Sequence, residues 1–163
     1  MKNFYATQKR MGFGMIEMIV GAAVLSTALL GISTFFQSTL SVSHTTKAAI
    51  QGDYLLEEGV EAVKLLRDTN YTNNLKTLAT GVDHYLLWTG VAWATTTVNT
   101  FVDGQFERKF TIANVTRDST DDIAAAGTYD PDTKLITVSV AWGTKGSTTT
   151  RSIATYITNL SDN

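Results

Sequence analysis

The stretch Lys9-Arg10-Met11-Gly12-Phe13-Gly14-Met15-Ile16-Glu17-Met18-Ile19-Val20 decides the architecture of the chain. It leads into Met18 to Phe36, a run of nineteen residues without a charged side chain. A helix of that length spans roughly 28 Å, close to the thickness of the hydrocarbon core of a bilayer. The run therefore predicts a helix that crosses a membrane.

The charges around this run indicate its orientation. Residues 1–12 contain Lys2, Lys9 and Arg10 and no acidic residue. Basic flanks stay in the cytoplasm, so the N-terminus is predicted to lie inside and the C-terminus outside. Inside the apolar segment stands one carboxylate, Glu17. A carboxylate costs on the order of 2.5–3.5 kcal/mol at the centre of a membrane helix and less near its edge, so Glu17 is predicted to have a partner.

Two common kinds of N-terminal segment could also explain the basic residues and the apolar run. A secretory signal peptide has an apolar region of about 7–15 residues that ends at a small-residue cleavage site. The run here is longer, and no such site follows Phe36. The second alternative is an uncleaved membrane anchor in which Gly12 and Phe13 are adjacent by chance.

The junction resembles the type III signal of type IV pilins and pseudopilins. That family has a short basic leader ending in Gly, then Phe, then Glu four residues after the Phe, and then an apolar helix. Gly12, Phe13 and Glu17 match those positions. The strict signature covers residues 1–36, and the family's long helix followed by a β-rich head fits the remainder.

The resemblance implies a sequence of events at these residues. A prepilin peptidase would cut between Gly12 and Phe13 on the cytoplasmic side, and the new amine of Phe13 would be N-methylated. Glu17 would then pair with the Phe13 amine of a neighbouring subunit. The implied partners are further copies of the chain in a helical filament, the prepilin peptidase, and the pilus assembly platform in the inner membrane. The implied location is the cytoplasmic membrane, single-pass, before assembly and the cell-surface filament afterwards.

The predicted fold is α+β, a long N-terminal helix packed on an antiparallel sheet. It divides into a leader peptide at 1–12, a membrane or filament-core half of the helix at 13–36, an amphipathic half with a turn at 37–74, and a β-rich head at 75–163. No proline precedes Pro131, so nothing forces a kink in the helix. Many pilins have a proline near Thr34 that helps unwinding, whereas here only Gly31, Ser33 and Thr34 could bend the helix.

The segment from Gln37 to Asp68 has two faces at helical spacing. The apolar arc is predicted to dock on the sheet and comprises Ala48, Leu55, Leu56, Gly59, Val60, Ala62, Val63 and Leu66. The opposite arc comprises Asp53, Glu57, Glu58, Glu61, Lys64 and Asp68. Ile50, Tyr54 and Leu65 lie among these charges in one stripe and are candidate contacts between subunits. Turn formers at 68–74 predict the end of the helix.

The rest of the chain is predicted to form an antiparallel sheet of about four strands. Asp103-Gly104 is the strongest hairpin signal. Strands are expected at 82–88, 91–93, 96–102 and 106–112, with Arg108 as the exception on an apolar face. Residues 117–128 are expected to be a loop and 129–133 a turn. Leu135 to Trp142 is the clearest strand, and it pairs with 148–157.

Composition excludes several classes of protein. A hydrophobic fraction of 44% with 17% charged residues indicates an ordered chain of 163 residues, one domain plus an anchor. The absence of cysteine excludes disulfides and thiolate metal sites. The whole chain has 13 basic and 15 acidic residues. Without the three basic residues of 1–12 the balance is 10 against 15, which argues against a nucleic-acid-binding head.

The sequence contains no pattern typical of catalysis. We therefore predict that the chain is not an enzyme, and we predict no catalytic residues, no metal site and no cofactor. His44 and His84 lie far apart, and the sequence contains no HExxH, Walker or GxSxG motif. Calcium could bind at Asp118, Asp121 and Asp122 or at Asp130 and Asp132, but solvated loop carboxylates are the favoured interpretation of both groups. Sequons begin at Asn70, Asn114 and Asn159.

Three functional interpretations follow. The first is a structural subunit of an extracellular or periplasm-spanning filament, as a type IV pilin or minor pilin, with a pseudopilin of a type II secretion or DNA-uptake system as its variant. The second is a monomeric membrane-anchored β-domain that binds a ligand. The third is an exported enzyme, which the missing motifs disfavour. Loss of residues 1–12 with a methylated Phe13 would separate the first from the others.

Overall fold

The computed structural model describes Gly12, the residues from Gly14 to Thr144, and those from Gly146 to Leu160. These residues form an α+β fold, a long N-terminal helix followed by an antiparallel sheet, as predicted. The chain divides into two compact units, Met1–His44 and Thr45–Asn163. The first unit is helical wherever it is described beyond Gly14, and the second contains the rest of the helix and all the strands.

Helix α1 runs over Met15–Tyr71 and passes into a π-helical turn at Thr72–Lys76. The predicted end near Asp68 is therefore too early. The turn-forming residues do not end the helix, because Asn70 is the one residue recorded inside α1 with non-helical dihedrals, at φ −168° and ψ 99°. Its side chain accepts a hydrogen bond from the N–H of Asn73, and the Asn74 amide donates to the carbonyl of Leu66. These amide groups bend the helix and let it continue.

The sheet contains seven strands, more than the four expected. The strands are β1 His84–Trp88, β2 Trp93–Thr96, β3 Phe101–Val102, β4 Phe106–Arg117, β5 Ile123–Ala124, β6 Thr128–Thr144 and β7 Ser147–Thr158. Five of them follow one another in the order β2-β1-β4-β6-β7, while β3 and β5 each pair with β4. Of the short strands, β5 lies inside the segment 117–128, which was predicted to be a loop.

The hairpin predicted at Asp103-Gly104 is confirmed. Strand β3 pairs antiparallel with β4, with Val102 opposite Phe106. Asp103 and Gly104 both have positive φ, 51° and 65°, and the N–H of Gln105 donates to the carbonyl of Val102 at 3.1 Å. Two successive residues with positive φ match the type I′ turn, whose twist suits a hairpin.

The turn predicted at 129–133 is wrong, whereas the loop predicted at 117–128 is confirmed in part, because residues 118–122 and 125–127 lie outside the strands. Strand β6 is continuous through Tyr129 to Thr133, and β5 occupies part of the supposed loop. The register of β4 against β6 shifts at this place: Asn114 lies opposite Lys134, and Val115 lies opposite Asp130. The extra residues around Pro131 are therefore a bulge, because a proline cannot donate to the ladder and is tolerated where pairing is interrupted.

The core lies between the outer part of α1 and one face of the sheet, within the second unit. The predicted arc is confirmed: Leu55, Leu56, Gly59, Ala62, Val63 and Leu66 are buried, and Ala48 and Val60 are partly buried. From the sheet, the alternating residues Phe106, Phe110 and Ile112 of β4 and Ile136, Val138, Val140 and Trp142 of β6 complete the core. The alternation of apolar and polar residues along β4 and β6 thus predicts correctly which side of each strand faces the helix.

Candidate assembly surface

The predicted processing junction lies at the start of the described chain. Gly12 and Gly14 are exposed, and α1 begins directly afterwards at Met15. Phe13, the residue predicted to carry the new amine and its methyl group, lies outside the described residues, as do residues 1–11 of the leader. The cut between Gly12 and Phe13 stays a prediction from the sequence.

Glu17 is the third residue of α1 and the single acidic residue of its first turn. Its Oε2 atom accepts a hydrogen bond from the N–H of Gly14 at 3.3 Å. This is half of a capping box, in which the third helical residue reaches back to the residue before the helix. The carboxylate therefore lies beside the helix N-terminus, where the helix dipole favours a negative charge. An amine placed at this end would meet an acceptor already held in position.

The inner part of α1 exposes an unbroken apolar surface. Every large apolar side chain from Met15 to Phe36 is more than half exposed. The segment is long and apolar enough to cross a membrane by length and composition. Its polar side chains are matched to such a setting, because hydroxyls bond back to helix carbonyls: Ser26 to Ala22, Thr27 to Ala23, and Thr34 to Leu30 and Gly31. Hydroxyls paired in this way add little cost in lipid.

Thr34 and Gly31 keep helical dihedrals, since Asn70 is the one non-helical residue recorded inside α1. The Thr34 hydroxyl lies 3.0 Å from the carbonyl oxygen of Leu30 and 2.9 Å from that of Gly31. The helix is therefore continuous through the place where many pilins have a proline.

The three residues proposed as subunit contacts are exposed as such contacts require. Ile50 is 51% exposed, Tyr54 68% and Leu65 53%. They lie on the outer part of α1, within the second unit, and Leu65 borders a groove that sequence reasoning missed. Their contact with a neighbouring subunit stays a prediction.

The groove beside Leu65 has a volume of about 250 Å³ and is lined by the tryptophans of the β1–β2 hairpin. Trp88 and Trp93 face each other across this hairpin with ring centroids 5.5 Å apart. Trp88 is 53% exposed and Val91 87%. The strands expected at 82–88 and 91–93 were the available signal, but nothing in the sequence placed these tryptophans beside Leu65.

Arg108, the exception in the β4 pattern, is buried in the interface between helix and sheet. Its Nη1 atom pairs with Glu58 of α1, and its guanidinium lies 5.0 Å from the centre of the Trp93 ring. The Nε atom is buried without a hydrogen-bond partner. Planar stacking on an aromatic ring suits arginine and lowers the cost of its burial. The residue therefore fastens α1 to the sheet.

The acidic loop residues are engaged within the protein. Asp118 accepts hydrogen bonds from the backbone N–H groups of Thr120 and Asp122 and from the Thr120 hydroxyl. These bonds lower the pKa of Asp118, chiefly through the Thr120 hydroxyl. Asp130 binds Arg117 at 2.7 Å, and Asp132 binds Lys76 at 3.0 Å. Among the described residues, no group of three or more His, Asp or Glu side chains is arranged to hold a metal ion.

The two histidines belong to different units of the chain. His84 is buried, its Nε2 lies 2.9 Å from the carbonyl oxygen of Ala79, and its ring packs against Phe110. His44 lies in α1 and belongs to the other unit. The surroundings of His84 are those of a core histidine with a satisfied ring nitrogen. The predicted absence of enzymatic activity is not tested by this arrangement and stays a prediction.

Comparison with protein-family models, with curated proteins and with solved structures finds no match to this chain. The architecture, a long apolar N-terminal helix followed by an antiparallel sheet, is consistent with a pilin-like fold.

Proposed function

We propose that this chain is a structural subunit of a helical filament, a type IV pilin or minor pilin, assembled through α1 after cleavage between Gly12 and Phe13. The observation that carries the proposal is the contrast along one helix. From Met15 to Phe36 its large apolar side chains are exposed, whereas from Leu55 to Leu66 its apolar arc is buried in a head. The exposed part needs lipid or other helices around it.

The exposed apolar side chains of α1 are covered first by lipid and then by other helices. Before assembly, the apolar segment crosses the cytoplasmic membrane once, with the N-terminus inside. During assembly, the same surface packs against the helices of other copies and becomes the filament core, while the heads form its outside. A prepilin peptidase removes residues 1–12, and an assembly platform in the inner membrane supplies the machinery. The resemblance of the Gly12-Phe13 junction supports both of these partners.

Glu17 sets the register of assembly in this proposal. The carboxylate accepts from the Gly14 N–H in the single chain and exchanges this bond for the Phe13 amine of a neighbour. An isolated charge in an apolar setting is costly, whereas an opposite pair is far less so. One axial offset between helices brings amine and carboxylate together, so the pair selects that offset.

The test replaces Glu17 by Val in the native host. We expect normal amounts of processed membrane protein and few or no filaments, because the neighbour's amine loses its partner while insertion becomes easier. Glu17→Asp, one methylene shorter, retains partial assembly. The measurements are electron microscopy of sheared surface material and an immunoblot of the membrane fraction.

Thr27→Val is the matched control, since it removes a polar group from the same helix without changing its charge. This variant should assemble normally. Abundant normal filaments made solely of Glu17→Val protein would overturn the role of Glu17 and favour the anchored binding module.

A further inference from the structure

Strand β7, Ser147–Thr158, is a long open edge of the sheet. It pairs with β6 without interruption from Thr133–Thr158 to Thr144–Ser147, and no described strand pairs with its other side. Most of its residues are exposed, including Ile153 and Tyr156 at 41% and 49%. The opposite edge, β2, has four residues. The outward N–H and C=O groups of β7 are therefore a template for another strand.

The devices that usually protect an edge are missing from β7. The strand contains no proline and no bulge, and it is twelve residues long. Its single charged residue is Arg151, and that side chain is engaged by both carboxylate oxygens of Asp53 on α1 at 2.5 Å. The remaining residues are mostly Ser and Thr, with Ile153, Ala154, Tyr156 and Ile157. An edge left open in this way is suited to pairing.

We propose that β7 pairs antiparallel with β7 of a second copy of this chain, with Ile153 on the two-fold axis. In this register the two Ile153 side chains meet, Arg151 lies opposite Thr155, and Thr150 lies opposite Tyr156. Residues 148–158 of each copy overlap. An apolar pair at the centre and aromatic–β-branched pairs beside it are favourable across antiparallel strands.

Charge selects this register over its neighbours. Centring the axis on Arg151 would place two guanidinium groups directly opposite each other, which destabilises a strand pair. With Ile153 on the axis, the two arginines are offset by four residues, roughly 13 Å along the strand. Centring on Thr149 or Thr155 shortens the overlap. The positions of Arg151 and the length of the overlap therefore favour Ile153 as the axis over Arg151, Thr149 and Thr155.

This contact differs in kind from filament assembly. A two-fold contact closes after two copies, whereas a filament needs contacts that repeat from one subunit to the next. The pairing therefore joins two subunits, or subunits of two filaments, through their heads. The β7 pairing involves neither Phe13 nor Glu17. An experiment can therefore disprove the β7 pairing without disproving filament assembly, or disprove filament assembly without disproving the β7 pairing.

The chain lacks cysteine, so a single introduced cysteine can form a disulfide only with the same cysteine of a second copy. The rate of cross-linking then reports the distance between these two positions. Ile153→Cys should form a disulfide-linked dimer of the full chain in detergent micelles under mild oxidation, because directly opposite Cα atoms lie about 4.5–5.5 Å apart, within disulfide range. Thr149→Cys is the control on the same strand: its partner position is Ile157, so the two thiols would lie roughly 26 Å apart. We expect cross-linking of Ile153→Cys to be at least tenfold faster.

A second pair of cysteine variants tests the register of the two strands. Differently tagged Thr150→Cys and Tyr156→Cys chains should cross-link when mixed and stay largely unlinked when each is alone. Equal rates for Ile153→Cys and Thr149→Cys, or no mixed product, would overturn the pairing.

A charge at the axis gives a second, thiol-free readout. Ile153→Lys places two ammonium groups opposite each other and should convert the dimer to a monomer in sedimentation measurements of the full chain in detergent. Ile123→Lys on β5 is the matched control, because Ile123 is 42% exposed against 41% for Ile153. It should leave the dimer intact. A wild-type chain that is monomeric, or an Ile153→Lys dimer, would contradict the proposal.

Discussion

At the scale of single residues, the helix approaches the sheet closely where it has glycine. A Cβ atom added at Gly52 would lie 2.5–3.0 Å from three ring atoms of Trp142, and one at Gly59 would lie 2.8 Å from Val138 Cγ1. Glycine in a helix costs about 1 kcal/mol relative to alanine. The two glycines therefore give up helix propensity so that large side chains of β6 can pack directly against the helix backbone.

Gly52→Ala should accordingly destabilise the head. Overpacking of this kind costs about 1–3 kcal/mol, which exceeds the gain of about 1 kcal/mol in helix propensity. Chemical unfolding followed by tryptophan fluorescence measures the change, since Trp142 lies at the site. Gly31→Ala is the control, because no atom lies within 4 Å of its added Cβ. A Gly52→Ala head as stable as the wild type would mean that the helix and Trp142 are not in close contact.

At the scale of elements, the bulge in β6 is held by one charged network. Arg117 of β4 donates to Asp130 at 2.7 Å and to the carbonyl of Asp121, and Asp130 also accepts from the backbone N–H of Asp132. Burial opposes ionisation of Asp130, but its hydrogen bonds from Arg117, Thr133 and Asp132 and the Arg117 charge prevail. They lower its pKa from 3.8 to about 2.

The bulge should therefore be sensitive to acid. Because the folded-state pKa of Asp130 is depressed, its stabilising contribution is present above pH 4 and is lost as the pH falls toward 2. Asp130→Asn should lower the free energy of unfolding at pH 7, and the difference from wild type should shrink as the pH approaches 2. Urea unfolding at the two pH values measures this. Asp103→Asn, in the β3–β4 turn, is the control. A pH-independent difference for Asp130→Asn would show that the ionised form does not stabilise the fold.

Local patterns predicted the elements better than their arrangement. The apolar run, the helical arc and the Asp103-Gly104 turn each depend on neighbours in sequence, so the sequence predicts them directly. Pro131 between two aspartates has the local features of a turn, and the pairing of Asp130 with β4 and of Thr133 with β7 overrides that preference. Arg108 interrupts an apolar face because its partner, Glu58, is fifty residues away. Contacts of that separation leave no periodic signal.

At the scale of the whole molecule, the chain has two units with different requirements. The head, within Thr45–Asn163, buries its own apolar surface, while the helical unit within Met1–His44 exposes its apolar surface. The apolar run from Met18 to Phe36 indicated such an exposed apolar segment in advance. The Trp88–Trp93 groove and the open β7 edge were not foreseen, because exposure and strand order depend on the folded sheet.

The head should consequently fold without the anchor. A chain beginning at Gln37 should be soluble and show mixed α and β circular dichroism, because the arc from Leu55 to Leu66 packs on its own sheet. Leu56→Asp should destabilise it by several kcal/mol, since it buries an unpaired charge. Tyr54→Asp on the exposed side of the same helix is the control and should change stability by less than about 0.5 kcal/mol. A Leu56→Asp head with wild-type stability would place this arc outside the core.

Processing between Gly12 and Phe13, followed by assembly into a filament, is tested by the intact mass of the dominant subunit in filaments sheared from the native host. We expect a chain of 163 − 12 = 151 residues beginning at Phe13 with one added methyl group. A chain in the surface material or membrane that begins at Met1, or after Phe36, would overturn the proposed processing and assembly.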